Sequence, residues 1–386
     1  MTNSSEPEPD GDRASSAMRW IMGRGRSQAA PPTTSSAVRP RHRGLLLLGQ
    51  AWAWVFLLVL VVFFSITADG FLSLTNFQAV AANMTLLVVM AIGQTFVIIT
   101  AGIDLSTGFV MGLASVVAAL VMRRVLPDMP LGVILVGGFA AAVLTGLAAG
   151  AVNGMVVSKL AVPPFIATLG MLGIAQGLAF ILSGGPPVSV PVPGLGDLGN
   201  NFVIYHHPDA GFSFLQPPGS LEGQAARQTA GYVPLMLVYL GLILLASHWL
   251  LSRTGFGQHV YAIGGNARAA RRAGIPVARN LIYVYMLSAG FAGVAGFLYL
   301  TRYTGGAAAG GEALLLQSIA AIVIGGASLM GGAGTVIGTF IGALIIAIIQ
   351  NGMVILGIDP FWQYVAVGVV IILAVLVDQA KSRLAT

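Results

Sequence analysis

Long apolar runs set the terms on which this chain can fold. From Gly44 to Thr67 it reads GLLLLGQAWAWVFLLVLVVFFSIT, without a charged residue. A helix needs about 20 consecutive apolar residues to cross the hydrocarbon core of a bilayer, and this run has that length. It is too long for the apolar region of a secretory signal, and no small-residue cleavage site follows it. Comparable runs recur near 78–100, 105–122, 131–157, 165–183, 232–251, 281–301, 313–330, 334–356 and 361–378. With 56% hydrophobic and only 8% charged residues, a soluble fold would carry apolar patches of a size that soluble monomers rarely expose. The expected fold is therefore an all-α, polytopic integral membrane protein with about ten transmembrane helices, each satisfying its own backbone hydrogen bonds.

The basic residues orient these spans. Loops on the cytoplasmic side of a membrane protein are enriched in Lys and Arg. With ten spans and a cytoplasmic N-terminus, that side collects Arg13, Arg19, Arg24, Arg26, Arg39, Arg41, Arg43, Lys159, Arg253, Arg268, Arg271, Arg272, Arg279, Lys381 and Arg383, which are 15 of the 19. Arg123, Arg124, Arg227 and Arg302 fall outside. A count wrong by one before residue 253 would strand the 253–279 cluster on the wrong face, so both termini are expected to be cytoplasmic. The charge of +6 is thus dispersed along loops rather than gathered in a nucleic-acid stripe.

The organisation that follows has a disordered cytoplasmic tail at 1–43, rich in Pro, Ser, Thr, Glu and Arg without apolar periodicity. The membrane domain occupies 44–386, with an external loop at 184–231 and a cytoplasmic loop at 253–280. His206 and His207 in the external loop lack a recognisable third metal ligand and read as solvated loop residues, so no metal site is expected. ITAGIDLSTG (99–108) and VIGGASLMGG (323–332) look alike, but the offset is not shared by a second similar pair, so no internal repeat is inferred.

Several chemistries lack their residues. There is no cysteine, hence no thiol nucleophile or thiolate metal site. There is no G-x-x-x-x-G-K-[ST] loop, and the lysines are Lys159 and Lys381 alone. In GGAGTVIGTFIG, the four-residue spacing of Gly334, Gly338 and Gly342 suits helix packing better than phosphate binding. His248, the histidine inside an apolar run, has no carboxylate at helical spacing. The chain is expected to be neither a hydrolase nor an ATPase.

Asp104, in GIDLS, lies between two apolar runs. Intramembrane acids are costly and point to function, yet an aspartate just before a helix also caps it. Both roles stand, structural cap or pathway residue. Neutral polar residues are more numerous. Asn83, Gln94, Asn153, Thr168, Gln176, Gln350 and Asn351 either tie helices together or line a wet path, with Phe165 and Trp362 as candidate faces for a sugar ring.

In YAIGGNARAARRAGIP (261–276) three arginines fall within five residues of an otherwise strongly apolar part of the chain. Asn266 suits an N-cap, Gly274 a C′ residue, and Pro276 stops continuation. On a wheel of 100° per residue, Arg268, Arg271 and Arg272 share a face and Ala267, Ala269, Ala270 and Ala273 cover the rest. A helix of about seven residues is unstable alone in water and must dock against something. A lipid headgroup would account for the arginines but not for the glycines, the alanine face or the caps.

Together, VIITAGIDLSTG, NGMVVSKLAVPPFIATLGM, VYAIGGNARAARRAGIPV, IAAIVIGGASLMGGAGTVIGTFIGAL and GIDPFWQYVAVGVVIILAVLVDQ resemble the permease subunits of ATP-binding-cassette importers for monosaccharides, the ribose- and fructose-type branch. The resemblance runs from about Asn76 to Asp378. It implies a homodimeric permease in the cytoplasmic membrane of a bacterium, served by an external sugar-binding protein and an ATPase docked on the cytoplasmic face. It also implies that Gly264–Gly274 is the coupling helix that sits in the ATPase, although Ala267 and Arg268 stand where family members usually carry an acidic residue. ATP and Mg would belong to the partner, leaving this chain without a cofactor. Besides lipid and these proteins no partner is implied, and no nucleic acid. An ion-coupled secondary transporter for a small polar solute is the alternative.

Overall fold

The computed structural model describes residues 40–208, 210–217, 229–359 and 361–385, so most of the 1–43 tail lies outside the described residues. Twelve helices order the described chain: α1 (Pro40–Thr67), α2 (Leu74–Ile99), α3 (Thr107–Leu120), α4 (Leu131–Lys159), α5 (Pro164–Ser183), the short α6 (Asp197–Asn200), α7 (Leu235–Arg253), α8 (Gly255–Arg272), α9 (Val277–Tyr303), α10 (Glu312–Ile324), α11 (Val336–Ile355) and α12 (Phe361–Ala385). The first helix begins at Pro40, four residues ahead of the expected Gly44. Helix α3 ends in one wide π turn at Val121–Val125, which carries Arg123 and Arg124.

Seven helical segments among the described residues are long and apolar enough to cross a membrane. Three shorter apolar helices, Trp52–Thr67, Glu312–Ile324 and Phe361–Leu373, accompany them. The expected span at 313–330 is corrected: α10 stops at Ile324 and an irregular joint occupies 325–335. The glycines of GGASLMGGAG end it there, with Gly326, Gly331, Gly332 and Gly334 all at positive φ.

Helix α2 is the axis of the bundle, with every residue from Met84 to Ile99 buried. It packs against α7, α8, α9, α10 and α11, and Gln94 ties it to Thr107 of α3. Helices α4 and α9 make the closest pair, because small residues let their backbones touch. A Cβ at Gly146 would overlap the carbonyl of Ala289, and one at Gly154 would lie 2.6 Å from Ile282 Cα. Helices α10 and α11 repeat the device. A Cβ at Gly338 would overlap the Gly325 carbonyl and one at Gly342 the Ala321 carbonyl, while Gly334, the third of the spaced glycines, lies outside the helix at φ +151°.

The 184–231 segment is folded where it is described. Strand β1 (Val188–Ser189) pairs antiparallel with β5 (Gly305–Gly306), and β2 (Ile204–His207) lies between β3 (Gly211–Phe214) and β4 (Ala230–Gly231). His206 and His207 are therefore strand residues. His207 is buried, its Nδ1 accepting from Ala210 N at 3.2 Å, which corrects the expectation of two solvated loop histidines.

Candidate coupling site

Thr254 opens α8, its hydroxyl accepting from Gly257 N at 3.3 Å. Twelve residues on, the chain turns a corner. Asn266 leaves helical geometry at φ −163°, ψ 101°, and its Oδ1 accepts from Arg268 N and Ala269 N, both at 3.0 Å. That is an N-cap for the second, shorter part of α8. The far end closes on Gly274 at φ +84°, with Ile275 N donating to Ala270 O at 3.1 Å, the wrapped C-terminus that glycine allows. Caps stand at both of the expected positions.

The orientation of this helix differs from an alanine face turned outward. Ala270 is 4% exposed and packs with Ile263 and Val277 of the same chain. Ala267, Arg268, Ala269, Arg271, Arg272 and Ala273 are exposed, and the wheel sets Arg268 and Arg272 opposite Ala270. Ala270 is thus the anchor to the bundle, and the arginines lead the outward face. Ala270→Trp is expected to destabilise the purified chain by roughly 1–3 kcal/mol, the usual cost of overpacking. Arg272→Glu should stay within about 0.5 kcal/mol of wild type, as exposed changes do. Thermal unfolding in detergent measures both.

Just before the corner, Gly264 lies against two irregular joints at once. A Cβ there would overlap the carbonyl oxygen of Ile99 and stand 2.6 Å from Gly332 N. The two joints also bond to each other, Gly332 N donating to Ile99 O at 2.8 Å. Tyr261, one turn earlier, donates its hydroxyl to Gly334 O at 2.6 Å. Deeper in, the hydroxyls of Thr95 and Thr339 meet at 2.7 Å. The similar stretches 99–108 and 323–332 are thus the helix-to-helix joints after α2 and after α10, and α8 rests on both.

Asp104 lies in the first joint and is 1% exposed. Its Oδ1 accepts from Ser106 N at 3.0 Å and from Ser106 Oγ at 2.6 Å, and its Oδ2 accepts from Ser288 Oγ of α9 at 3.1 Å. Asn153 of α4 donates to Ser106 Oγ at 3.0 Å. The aspartate therefore closes an Asx turn one residue ahead of the helix, and Ser106 holds the N-cap position of α3. Thr168 of α5 donates to Ile103 O at 3.2 Å, and Gln94 of α2 reaches Thr107. Four helices are pinned to one buried joint. Ser106 and Ser288 were not singled out from the sequence; the i, i+2 spacing of Asp104 and Ser106 was a usable signal, whereas Ser288 had none.

The remaining candidate pathway residues do not join this network. Asn83 is exposed and accepts from Arg302 at 3.0 Å. Phe165 and Trp362 are exposed, Gln176 and Gln350 are half-buried, and the side-chain oxygen of Asn351 is buried without a hydrogen-bond partner. Asn153, Thr168 and Gln94 each donate a hydrogen bond in or beside the joint, while the side-chain oxygen of Gln94 is buried without a partner among the described residues.

With this geometry in place, comparison with known proteins is informative. Residues 76–375 match the family model described as branched-chain amino acid transport system / permease component. The chain is 35% identical over 350 residues to the ribose import permease protein of Escherichia coli (strain K12), covering 91% of this chain and 100% of that one. It is 33% identical over 354 residues to the galactose/methyl galactoside import permease protein of Haemophilus influenzae, covering 88% and 97%. It is 32% identical over 367 residues to the xylose transport system permease protein of Escherichia coli (strain K12), covering 85% and 91%. No solved structure matches the chain.

Proposed function

The chain belongs to the family of branched-chain amino acid transport system permease components, and from that premise we propose that it is the membrane permease of an ATP-driven importer whose solute is a monosaccharide. It is a transport component rather than an enzyme, as its relatives are. The family description names amino acids, but the full-length relatives named for ribose, galactose and xylose point to a sugar. In this reading α1, α12 and the segment made of the 307–311 lead-in, the 13-residue α10 and the 325–335 joint cross the membrane with the seven long helices, both termini are cytoplasmic, and the membrane is the inner membrane of a bacterium. The basic loops on one side support that orientation.

One observation carries the coupling: a capped, exposed helix held on a buried pivot. A partner ATPase that shifts Arg268–Arg272 moves Gly264, and Gly264 touches the joints of two helix pairs together. A binding protein delivers sugar outside. A second copy of the permease completes the assembly, and the open face of α5, where Gly170, Gly173 and Gly177 meet nothing within 4 Å, supports such a contact.

ATP and Mg belong to the ATPase. The purified permease alone is expected to show no saturable binding of an ATP analogue by equilibrium dialysis, because it has no phosphate-cradling loop with a lysine. Saturable binding by the isolated chain would overturn that assignment. The functional reading as a whole is tested by assembling the permease with its ATPase and binding protein and measuring sugar-stimulated ATP hydrolysis.

A further inference from the structure

In the joint, Asp104, Ser106 and Ser288 are bonded to one another, so these three side chains are not free to hold a solute. A different group is free. Strand β5 and the stretch 307–311 lead irregularly into α10, and contacts from Gly108, Gly112 and Gly306 show this lead-in running against α3 backbone to backbone. Irregular backbone at membrane depth is tolerated where it is buried in protein or borders a watery cavity. Here it packs against α3 and borders a groove. A groove of about 570 Å³ opens between α10 and α12, lined by Ala309, Glu312, Gln317, Tyr364 and Gly368 among others.

We propose that this groove is a resting station for a neutral polyhydroxylated solute, the monosaccharide of the functional reading on which this inference rests. Glu312 stands in the first turn of the 13-residue α10, where the helix dipole favours a carboxylate. No Lys or Arg is among the groove's lining residues. Gln317 is 9% exposed, and its amide has no hydrogen-bond partner among the described residues although it borders the groove. Tyr364 of α12 is exposed beside them, and Gly368 leaves open space within 4 Å of where a Cβ would stand. A carboxylate accepts from vicinal hydroxyls, an amide both donates and accepts, and a phenol ring offers an apolar face with a polar tip. That set suits a sugar. An anionic solute meets only negative charge, and a lipid chain would leave the carboxylate and amide unsatisfied in hydrocarbon. The volume lies within the range of small-molecule sites, about 300–1,000 Å³.

The absence of cysteine in the chain makes the test direct. Gly368→Cys is introduced into the permease assembled with its ATPase and binding protein, and its labelling by a small thiol reagent is timed with and without D-ribose, D-xylose or D-galactose during turnover. The transported sugar is expected to slow labelling severalfold, and the others to have no effect. In proteoliposomes Glu312→Gln should lower the initial uptake rate about tenfold, as loss of a charge-assisted hydrogen bond does, while ATPase co-purification stays at the wild-type level. Wild-type uptake with unchanged labelling, or with Glu312→Leu transporting normally, overturns the station and leaves the functional reading standing. Failure of the wild-type assembly to move any of the three sugars overturns the functional reading and the station with it.

Discussion

Replacing Gly264 by alanine is expected to abolish ATP-driven uptake, while the same change at Gly265 leaves it near wild type. The two residues are neighbours in one helix with opposite surroundings. A Cβ at Gly264 meets the Ile99 carbonyl and Gly332 N, both backbone, and neither can swing aside as a side chain would. A Cβ at Gly265 meets nothing within 4 Å. Overpacking of this kind costs about 1–3 kcal/mol, and relief comes from lifting α8 off the joints or forcing the joints apart. Either movement separates the outward arginines from the pivot. Uptake in proteoliposomes and ATPase co-purification measure the two consequences separately. Equal behaviour of Gly264→Ala and Gly265→Ala would show that the contact transmits nothing.

The second large effect is expected at Asp104, where the chemistry of the substitution decides the outcome. Asp104→Leu removes the acceptor for Ser106 N, Ser106 Oγ and Ser288 Oγ in a buried site. Each orphaned group costs about 1–3 kcal/mol, and the serine hydroxyls recover part of this by turning to backbone carbonyls. The backbone N–H has no such freedom. Against a total stability of about 5–15 kcal/mol, the loss is enough to remove most folded protein from the membrane. Asp104→Asn keeps Oδ1 for both Ser106 donors and offers its amide to Ser288, so it should fold and retain much of the transport. Yield of monodisperse protein and sugar uptake are the measurements. If Asn folds normally yet transports no better than Leu, the negative charge itself takes part in transport, and the structural role is insufficient.

Much of the fold was legible because the bilayer imposes a length and a composition on each span. The helix borders at α2, α4, α5, α7, α9 and α11 fall within a few residues of those expected from apolar runs alone. The exception is instructive. At 313–330 the run stays apolar past Ile324, because glycine, alanine and serine are as compatible with a buried irregular joint as with a helix. Composition reports the solvent, not the backbone geometry.

The site was legible only in part. Asn266 and Gly274 announced the ends of the basic helix, since capping is a local property of a few residues. Which face turns inward is not local. Ala270 and Ala269 are chemically the same, and only Ile263, earlier in α8, and Val277, at the start of α9, select Ala270 as the anchor. The Asp104 network has the same character. Its contact with Ser106 lies two residues away, but Ser288 is 184 residues distant and reaches it through the packing of α9 on α2, α3 and α4. Gln94, Asn153 and Thr168 stand out in the sequence by type alone, and only the fold shows that they donate to Thr107, Ser106 and Ile103.

A partner ATPase acting through α8 is expected to drive this permease. The most direct measurement is sugar uptake into proteoliposomes holding the permease and its ATPase, with the binding protein outside and ATP inside. Uptake is expected to require all three proteins and ATP, and to disappear with Gly264→Ala but not with Gly265→Ala. Uptake by the permease alone, driven by an imposed proton or sodium gradient without any ATPase chain, would contradict it.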